Sequence, residues 1–263
     1  QKQPIKLAAM EGLYKGEKNA GLVAAGILNP AKKLGDDTEP FLLEIKVPYA
    51  LGIMANRELD SFTPGINDLL YGNSEHNLIS VEEKMAKGKV AIESLKNYKE
   101  AKKANDESLM KSSLSNLESN LNFLGYGYLK DAKDAVPPVA LTFYSFHIMV
   151  ALGTYFIALF AITLYLNLSR KYKFENIRAF LWICLFTIPL GYIAAEAGWI
   201  VAEVGRQPWA IQDLMTVGVG ATNLSDSNVK ISFILFAVLF TVLLIAEIKI
   251  MLKQIKIGFN DHA

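Results

Sequence analysis

Hydrophobic and polar positions divide the chain into two parts near Val136-Pro137-Pro138. The residues before this point are polar and lysine-rich, whereas the residues after it include three long apolar segments. These segments run over about 141–168, 179–203 and 231–250. Each reaches the roughly 20 residues that a helix needs to cross a bilayer. The pattern therefore predicts an all-α membrane protein, with one domain over 1–140 and a membrane domain over 141–263.

The first part shows mainly helical periodicity. Between about Ser80 and Lys103, apolar positions recur at helical spacing among lysines and glutamates, which predicts a long amphipathic helix. A second, shorter helix is predicted from Glu107 to Leu124, and the alternation over Phe41–Val47 indicates a short strand. We therefore expect a mixed but mainly helical domain outside the membrane.

Positive charge is unevenly distributed among the connections of the apolar segments. The 169–178 loop and the C-terminal end are rich in basic residues, namely Arg170, Lys171, Lys173, Arg178, Lys249, Lys253 and Lys256. The connection that begins at Gly205 has no such excess. Short basic loops stay in the cytoplasm, whereas long domains cross the membrane largely regardless of charge. The 169–178 loop and the C-terminus are thus predicted to be cytoplasmic, and residues 1–140 extracytoplasmic.

Overall composition excludes several classes of protein. The net charge of +1 gives no electrostatic support for nucleic-acid binding. The single cysteine, Cys184, cannot form an internal disulfide or a cysteine zinc site. The sequence starts at Gln1 without an initiator methionine or a signal peptide. We interpret it as the later part of a longer polypeptide or as one half of a split subunit.

The second apolar segment ends in a stripe of polar residues. Glu196 and Glu203 are seven residues apart and share one helix face, with Trp199 between them and Arg206 three residues beyond Glu203. Ionised side chains at membrane depth are costly, so they usually face a bundle interior, a partner charge or a cofactor. For Glu203, pairing with Arg206 or reaching to the interface is the alternative to a cofactor role.

The residues around this stripe also allow simple structural roles. Trp199 is either an aromatic residue of the membrane boundary or a residue that packs on a cofactor. Glu196 either hydrogen-bonds a neighbouring helix or relays protons. Pro208 is expected to mark the end of the helix, because it has no amide hydrogen to donate, and Trp209 is expected at the lipid–water boundary.

The first apolar segment carries Met149, whose thioether is a possible axial ligand of haem iron. A methionine that only fills space in a helix packing interface is the alternative. His147 lies two residues away and so points to the other side of the helix, which prevents it from joining Met149 on one iron. His76 and His262 lie in a polar turn and in the tail, where neither is placed to ligate a metal within the membrane.

Three stretches together resemble subunit I of the cytochrome bd-type quinol oxidases. These are Gly198-Trp199-x-x-x-Glu203-x-Gly205-Arg206-Gln207-Pro208-Trp209, Ser145-Phe146-His147-Ile148-Met149-Val150 and Lys6-Leu7-Ala8-Ala9-Met10-Glu11. Pro48-Tyr49-Ala50-Leu51-Gly52 also resembles a later part of the family's quinol-binding outer loop. The resemblance covers nearly the whole chain and corresponds to the C-terminal half of that subunit.

The resemblance implies a role for several residues. Met149 matches an axial ligand of the low-spin haem b, and Glu203 matches the ligand of the high-spin haem b. Trp199 and Arg206 match residues near that second haem, where Arg206 can balance a propionate. Lys6 and Glu11 match residues that contribute to quinol oxidation, and Gln3 falls near a further loop position implicated in it. Without the family, Lys6 and Glu11 would be interpreted as solvated surface charges. Many members carry arginine at the position of His147, which we do not assign as a ligand.

The family also implies an activity and partners. Members oxidise quinol at the outer face of the bacterial cytoplasmic (inner) membrane and reduce oxygen to water at haem d, which generates a proton gradient without pumping. The histidine ligands absent from this chain belong to the N-terminal portion of subunit I. Further expected partners are oxidase subunit II, a small single-helix subunit, and membrane lipid. The alternative is a membrane-anchored binding or sensor protein without haem.

Overall fold

A computed structural model of the protein describes residues 3–58, 60–168, 177–222 and 225–257. Within it the chain divides into two compact units, Gln1–Gly220 and Ala221–Ala263. Most of the basic 169–178 loop lies outside the described residues, as does His262.

The first unit begins with a short helix, α1 (Pro4–Glu11). Pro4 suits the first turn, where its missing N–H would have no partner in the helix. Gly12 ends the helix in the left-handed conformation (φ 62°) and donates its N–H to the carbonyls of Ala8 and Ala9. Ala9 and Glu11 are among its buried residues, so α1 is enclosed by the domain.

An antiparallel hairpin follows α1, formed by β2 (Leu22–Leu28) and β3 (Phe41–Val47). The strand β3 has the bounds predicted from its alternation. Because this sheet has two strands, β2 keeps one free edge of backbone groups that needs other partners. The other short strands are β1 (Glu17–Lys18), β4 (Phe62–Thr63), β5 (Trp209–Ile211) and β6 (Met215–Thr216), paired as β1–β4 and β5–β6.

The predicted amphipathic helices form α4 (Val81–Ala104) and α5 (Glu107–Asn120), which pack against each other. Ser80 and Asp106 accept hydrogen bonds from the first backbone N–H groups of these helices, as N-cap residues commonly do. A 3-10 helix over Leu121–Tyr128 then returns along α4. The two backbones meet at Gly88 and Gly127, where a Cβ on Gly88 would lie 2.4 Å from the Gly127 nitrogen.

A buried cluster joins α1 to other elements of the first unit. It also includes residues of α3 (Ile66–Tyr71) and α4, and Tyr126 and Trp209 from later in the chain. Two more short helices of this unit are α2 (Ala50–Asn56) and α8 (Val217–Gly220). The core thus connects the start of the chain to the segment that follows the second apolar helix.

The first two apolar segments form α6 (Val139–Leu168) and α7 (Arg178–Glu203), which pack side by side. Their bounds lie within two residues of the predicted ones. The hydroxyls of Tyr155 and Thr187 are 2.7 Å apart and form a hydrogen bond between the two helices. Buried polar pairs of this kind help to fix helices in a bilayer.

The second unit contains α9 (Asp226–Ile257), which is longer at both ends than the predicted 231–250 segment. Within the described parts of the chain, α6, α7 and α9 are long and apolar enough to cross a membrane. These helices, together with the mainly helical part before them, confirm the predicted fold class of a three-helix membrane protein. The side of the membrane on which residues 1–140 lie stays a prediction.

Candidate functional site

The predicted polar stripe is present on the last turns of α7. Glu196, Trp199 and Glu203 project from one side of the helix, and Trp199 is 62% exposed. Ala197 and Val201 lie on other faces and are buried where α7 packs against α6. The stripe therefore faces away from the buried packing surface of α7, where it is accessible to a cofactor or a further helix.

Glu203 is the last residue of α7, and Arg206 pairs with it. Arg206 Nη2 donates to Glu203 Oε1 at 2.5 Å, and the two side chains are 46% (Glu203) and 36% (Arg206) exposed. This is the ion pair that the sequence allowed as an alternative to a cofactor role. The exposure leaves the carboxylate accessible to a ligand, so the geometry is compatible with both roles.

Lys6 of α1 reaches the same end of α7. Its Nζ donates to the backbone carbonyl of Ala202 at 3.4 Å, a favourable position for a cation at a helix C-terminus. Burial lowers the pKa of Lys6, the positive charge of Arg206 lowers it further, and Glu203 opposes this change. Gln3, Lys6 and Arg206 also line a small cleft of about 10 Å³. Lys6 is thus part of the Glu203 site.

Glu11 lies at the other end of α1 and is buried, with 2% exposure. Its Oε2 accepts the N–H of Val23 at 3.2 Å. Burial raises the pKa of Glu11, while the Val23 hydrogen bond and the electrostatic interaction with His147 oppose that rise. The interpretation of Glu11 as a solvated surface charge is therefore wrong, because the β2–β3 hairpin covers it.

Glu11 also faces a cavity with a volume of about 410 Å³. The cavity lies between α1 and the β2–β3 hairpin, and its lining includes Tyr14, Phe41 and Leu51. Lys6 and Gln3 line the separate cleft at Arg206. Since Lys6 and Glu11 are five residues apart, their side chains leave a helix about 140° apart. The structure thus divides the three predicted quinol residues between two sides of α1.

His147 and Met149 point to different neighbours, as predicted from their spacing. The ring nitrogens of His147 lie 2.9 Å from the carbonyl oxygen of Phe143 and 2.8 Å from that of Val23. Both nitrogens are therefore engaged with backbone oxygens, and neither is directed at an iron position. This agrees with leaving His147 out of the ligand set.

Met149 faces α7. A Cβ on Gly198 would lie 3.1 Å from Met149 Sδ, so the thioether occupies space that a larger residue at 198 would fill. Met149 and Glu203 are thus held on two adjacent packed helices. No cluster of three or more metal-ligating side chains occurs among the described residues. A half-buried thioether and an accessible carboxylate are side chains of the kinds that can provide an axial ligand to haem iron.

Trp209 is not at a lipid boundary, and that prediction is wrong. It is 4% exposed and packs edge-on against Tyr126, with ring centroids 4.8 Å apart. The helix also ends at Glu203, five residues before Pro208. The aromatic partner of Trp209 lies 83 positions earlier in the chain, so no local sequence pattern could indicate the contact.

A group of residues around Trp209 was not predicted from the sequence. Tyr126 contacts Trp209 and also interacts with Lys84 and Asp213. The role of Tyr144 was also not predicted from the sequence; its hydroxyl accepts the N–H of Leu28 at 3.0 Å. These contacts join segments that are far apart in sequence, and no spacing rule identifies them.

Comparisons with known proteins show a similarity over almost the whole chain. A family model described as cytochrome bd terminal oxidase subunit I matches residues 1–259. The cytochrome bd-II ubiquinol oxidase subunit 1 of Escherichia coli (strain K12) is 31% identical over 98% of this chain. The cytochrome bd ubiquinol oxidase subunit 1 of Bacillus subtilis (strain 168) is 28% identical over 98% of it.

A solved structure has a similar fold. The bd oxidase from Geobacillus thermodenitrificans superimposes with a TM-score of 0.58 at 23% identity, over 98% of this chain and 43% of that one. This chain spans 49% of the Escherichia coli relative and 42% of the Bacillus subtilis relative. It therefore corresponds to about half of each full-length subunit.

Proposed function

Because the chain belongs to the cytochrome bd terminal oxidase subunit I family, we propose that it is part of a respiratory oxidase that oxidises quinol and reduces oxygen to water. The observation that carries the proposal is the placement of Met149 and Glu203 on two packed helices. The same unit also has a cavity that is lined by the buried acid Glu11. The proposed cofactors are low-spin haem b, high-spin haem b and haem d, which supply electron transfer and oxygen reduction when bound.

Met149 is proposed as one axial ligand of the low-spin haem b. Its sulfur is half-buried, and the close contact with Gly198 limits the positions it can occupy. A preorganised ligand loses less conformational entropy when it binds. The second axial ligand comes from the rest of subunit I in this proposal, since both nitrogens of His147 bind backbone carbonyls.

Glu203 is proposed as the ligand of the high-spin haem b. Arg206 and Lys6 provide two positive charges beside it, which can balance a propionate. Trp199, exposed on the same stripe, provides a flat apolar surface for a macrocycle. Glu196, one turn deeper and also exposed, is proposed to relay protons or to hydrogen-bond a neighbouring helix.

Glu11 is proposed as the proton acceptor for quinol in the 410 Å³ cavity. Quinol oxidation releases two electrons and two protons, and a buried carboxylate with a raised pKa is a suitable base for one of these protons. In this proposal Gln3 and Lys6 contribute from the cleft beside Arg206, on the other side of α1.

The location and assembly follow from the same proposal. Residues 1–140 lie on the outer side of the bacterial cytoplasmic membrane and release quinol protons there, and the C-terminus is cytoplasmic. Protons for oxygen reduction come from the cytoplasm, so a gradient forms without pumping. The partners are the N-terminal portion of subunit I, subunit II and a small single-helix subunit.

Absorption spectra of the purified complex test this function. We expect Met149→Leu to remove or shift the low-spin haem b band, and Glu203→Ala to remove the high-spin haem b signal. Met251→Leu and Glu247→Ala in α9 are matched controls, because they make the same changes at exposed positions of another membrane-length helix. A colourless wild-type complex would support the alternative of a membrane-anchored protein without haem. Unchanged spectra in both variants would show that Met149 and Glu203 are not haem ligands.

A further inference from the structure

The segment that follows α7 is bonded to residues that lie much earlier in the chain. Its two short strands, β5 and β6, flank Asp213, whose backbone carbonyl accepts the N–H of Gly125 at 2.8 Å. Gly125 belongs to the 3-10 helix that packs along α4. The connection from α7 is thus bonded to a segment 88 residues earlier in the chain.

The side chain of Asp213 is the centre of a small polar network. Its carboxylate accepts a hydrogen bond from Gln212 Nε2 at 2.8 Å and interacts with the hydroxyl of Tyr126. Lys84 Nζ lies 5.4 Å from the centroid of the Tyr126 ring. Burial and the negative charge of Asp213 raise the pKa of Tyr126, so its hydroxyl stays protonated and remains a donor. Burial lowers the pKa of Lys84, and Asp213 opposes that change.

This network leads directly to Arg206. Tyr126 packs edge-on against the buried Trp209, and the N–H of Trp209 donates to the carbonyl of Arg206 at 3.0 Å. Arg206 in turn donates to Glu203. Both side chains of that ion pair are at least a third exposed, and pairs this exposed hold their partners weakly. Another element must therefore fix the position of Arg206.

We propose that Tyr126 and Asp213 are positioning residues, which hold the 204–216 segment so that Arg206 stays against Glu203. The inference rests on the proposed role of Glu203 as a haem ligand. Neither residue contacts the cofactor in this scheme. They act through the Trp209 ring and the Gly125–Asp213 backbone bond, which together anchor the segment to α4 and its neighbouring 3-10 helix.

Hydrogen exchange and spectroscopy on the intact complex test the proposal. Tyr126→Phe removes one hydroxyl and keeps the ring, and Asp213→Asn removes the charge with little change in size. We expect both variants to speed amide exchange over residues 204–216 about tenfold, the size expected when a hydrogen bond to a charged group is lost. We also expect both to weaken or shift the high-spin haem b signal and leave the low-spin signal unchanged.

Tyr128→Phe is the matched control, because it makes the same change at an exposed tyrosine in the same 3-10 helix. Unchanged exchange in Tyr126→Phe would overturn the proposal, and so would faster exchange with an unaltered high-spin signal. If Asp213→Asn does not assemble, Tyr126→Phe alone decides. A wild-type complex without haem would instead contradict the proposed function, while the exchange rates would still report whether the network holds the segment.

Discussion

At the scale of single residues, Glu11 combines burial with a useful position. Its carboxylate is enclosed, accepts one backbone N–H and faces the cavity between α1 and the β2–β3 hairpin. Glu11→Gln keeps an oxygen that accepts the Val23 N–H but cannot take a proton from quinol. We expect quinol oxidation to fall about a hundredfold, as is typical when a general base is lost. Steady-state kinetics with a soluble quinol measure this.

Glu17→Gln is the control for that change, since Glu17 lines the same cavity but is exposed. Equal turnover in the two variants would show that Glu11 is not the base.

The raised pKa of Glu11 also predicts how the stability of the fold depends on pH. A raised value means that ionisation destabilises the fold, so stability is greatest at low pH and declines as the pH rises from 4.5 through the raised pKa. Glutamine does not ionise, so the Glu11→Gln variant should lack this part of the loss of stability with rising pH. Thermal unfolding measured across this pH range tests the expectation.

Met149 and Gly198 offer a second test at this scale. Gly198→Ala places a Cβ 3.1 Å from the Met149 sulfur, which must then move by a few tenths of an ångström. We expect a shift in the absorption band and midpoint potential of the low-spin haem b, with the high-spin haem b unaffected. Gly191→Ala in the same helix is the control, because its Cβ would meet nothing within 4 Å. Identical spectra in both variants would exclude Met149 as a ligand.

At the scale of elements, the free edge of β2 is satisfied by side chains instead of another strand. Glu11 accepts the N–H of Val23, His147 bonds to the Val23 carbonyl, and Tyr144 accepts the N–H of Leu28. Two of these side chains belong to α6, so the hairpin that encloses the cavity is attached to the Met149 helix. The edge is thereby protected from pairing with another chain.

Removing one of these partners should loosen the hairpin. Tyr144→Phe leaves the Leu28 N–H without its hydroxyl acceptor, at a cost of about 1 kcal/mol. We expect roughly fivefold faster amide exchange in β2 and β3, measured by mass spectrometry on the complex. Tyr165→Phe, at an exposed position of α6, should have no such effect. Equal exchange rates in the two variants would show that the hydroxyl does not hold the hairpin.

Local patterns predicted most elements but few of the contacts between them. Helical periodicity placed α4 within a residue or so at each end, and alternation placed β3, because these signals are contained in the elements themselves. The burial of Glu11 and of Trp209 was not predictable in this way. Each depends on a segment that folds back from elsewhere in the chain, the β2–β3 hairpin in one case and Tyr126 in the other.

The same limit applies to the candidate site. The placement of Glu196, Trp199 and Glu203 on one side of α7 follows from helix geometry alone, so it could be predicted from the sequence. The different directions of the His147 and Met149 side chains could be predicted in the same way. Helix geometry also predicts that Lys6 and Glu11 point to different sides of α1. It does not predict which residues each side chain contacts. The roles of all these residues came from the family resemblance and stay predictions.

At the scale of the whole molecule, the chain corresponds to about half of its relatives, and its membrane helices expose most of their apolar surface. We expect that this chain, expressed alone in membranes, binds no six-coordinate low-spin haem, because it offers Met149 but no histidine partner among its described residues. Co-expression with an N-terminal half that carries the missing histidine should restore the spectrum. A normal low-spin band from the chain alone would contradict this.

The crossing of α4 with the 3-10 helix at Gly88 and Gly127 has a consequence for evolution. Each glycine faces the backbone of the other, so a methyl group at either position collides with main-chain atoms. Neither position can compensate for enlargement of the other, because both already carry the smallest residue. Orthologous sequences should therefore keep the pair fixed and show no covariation between the two sites, and a lineage that departs from it must have a different chain path in this part of the N-terminal region.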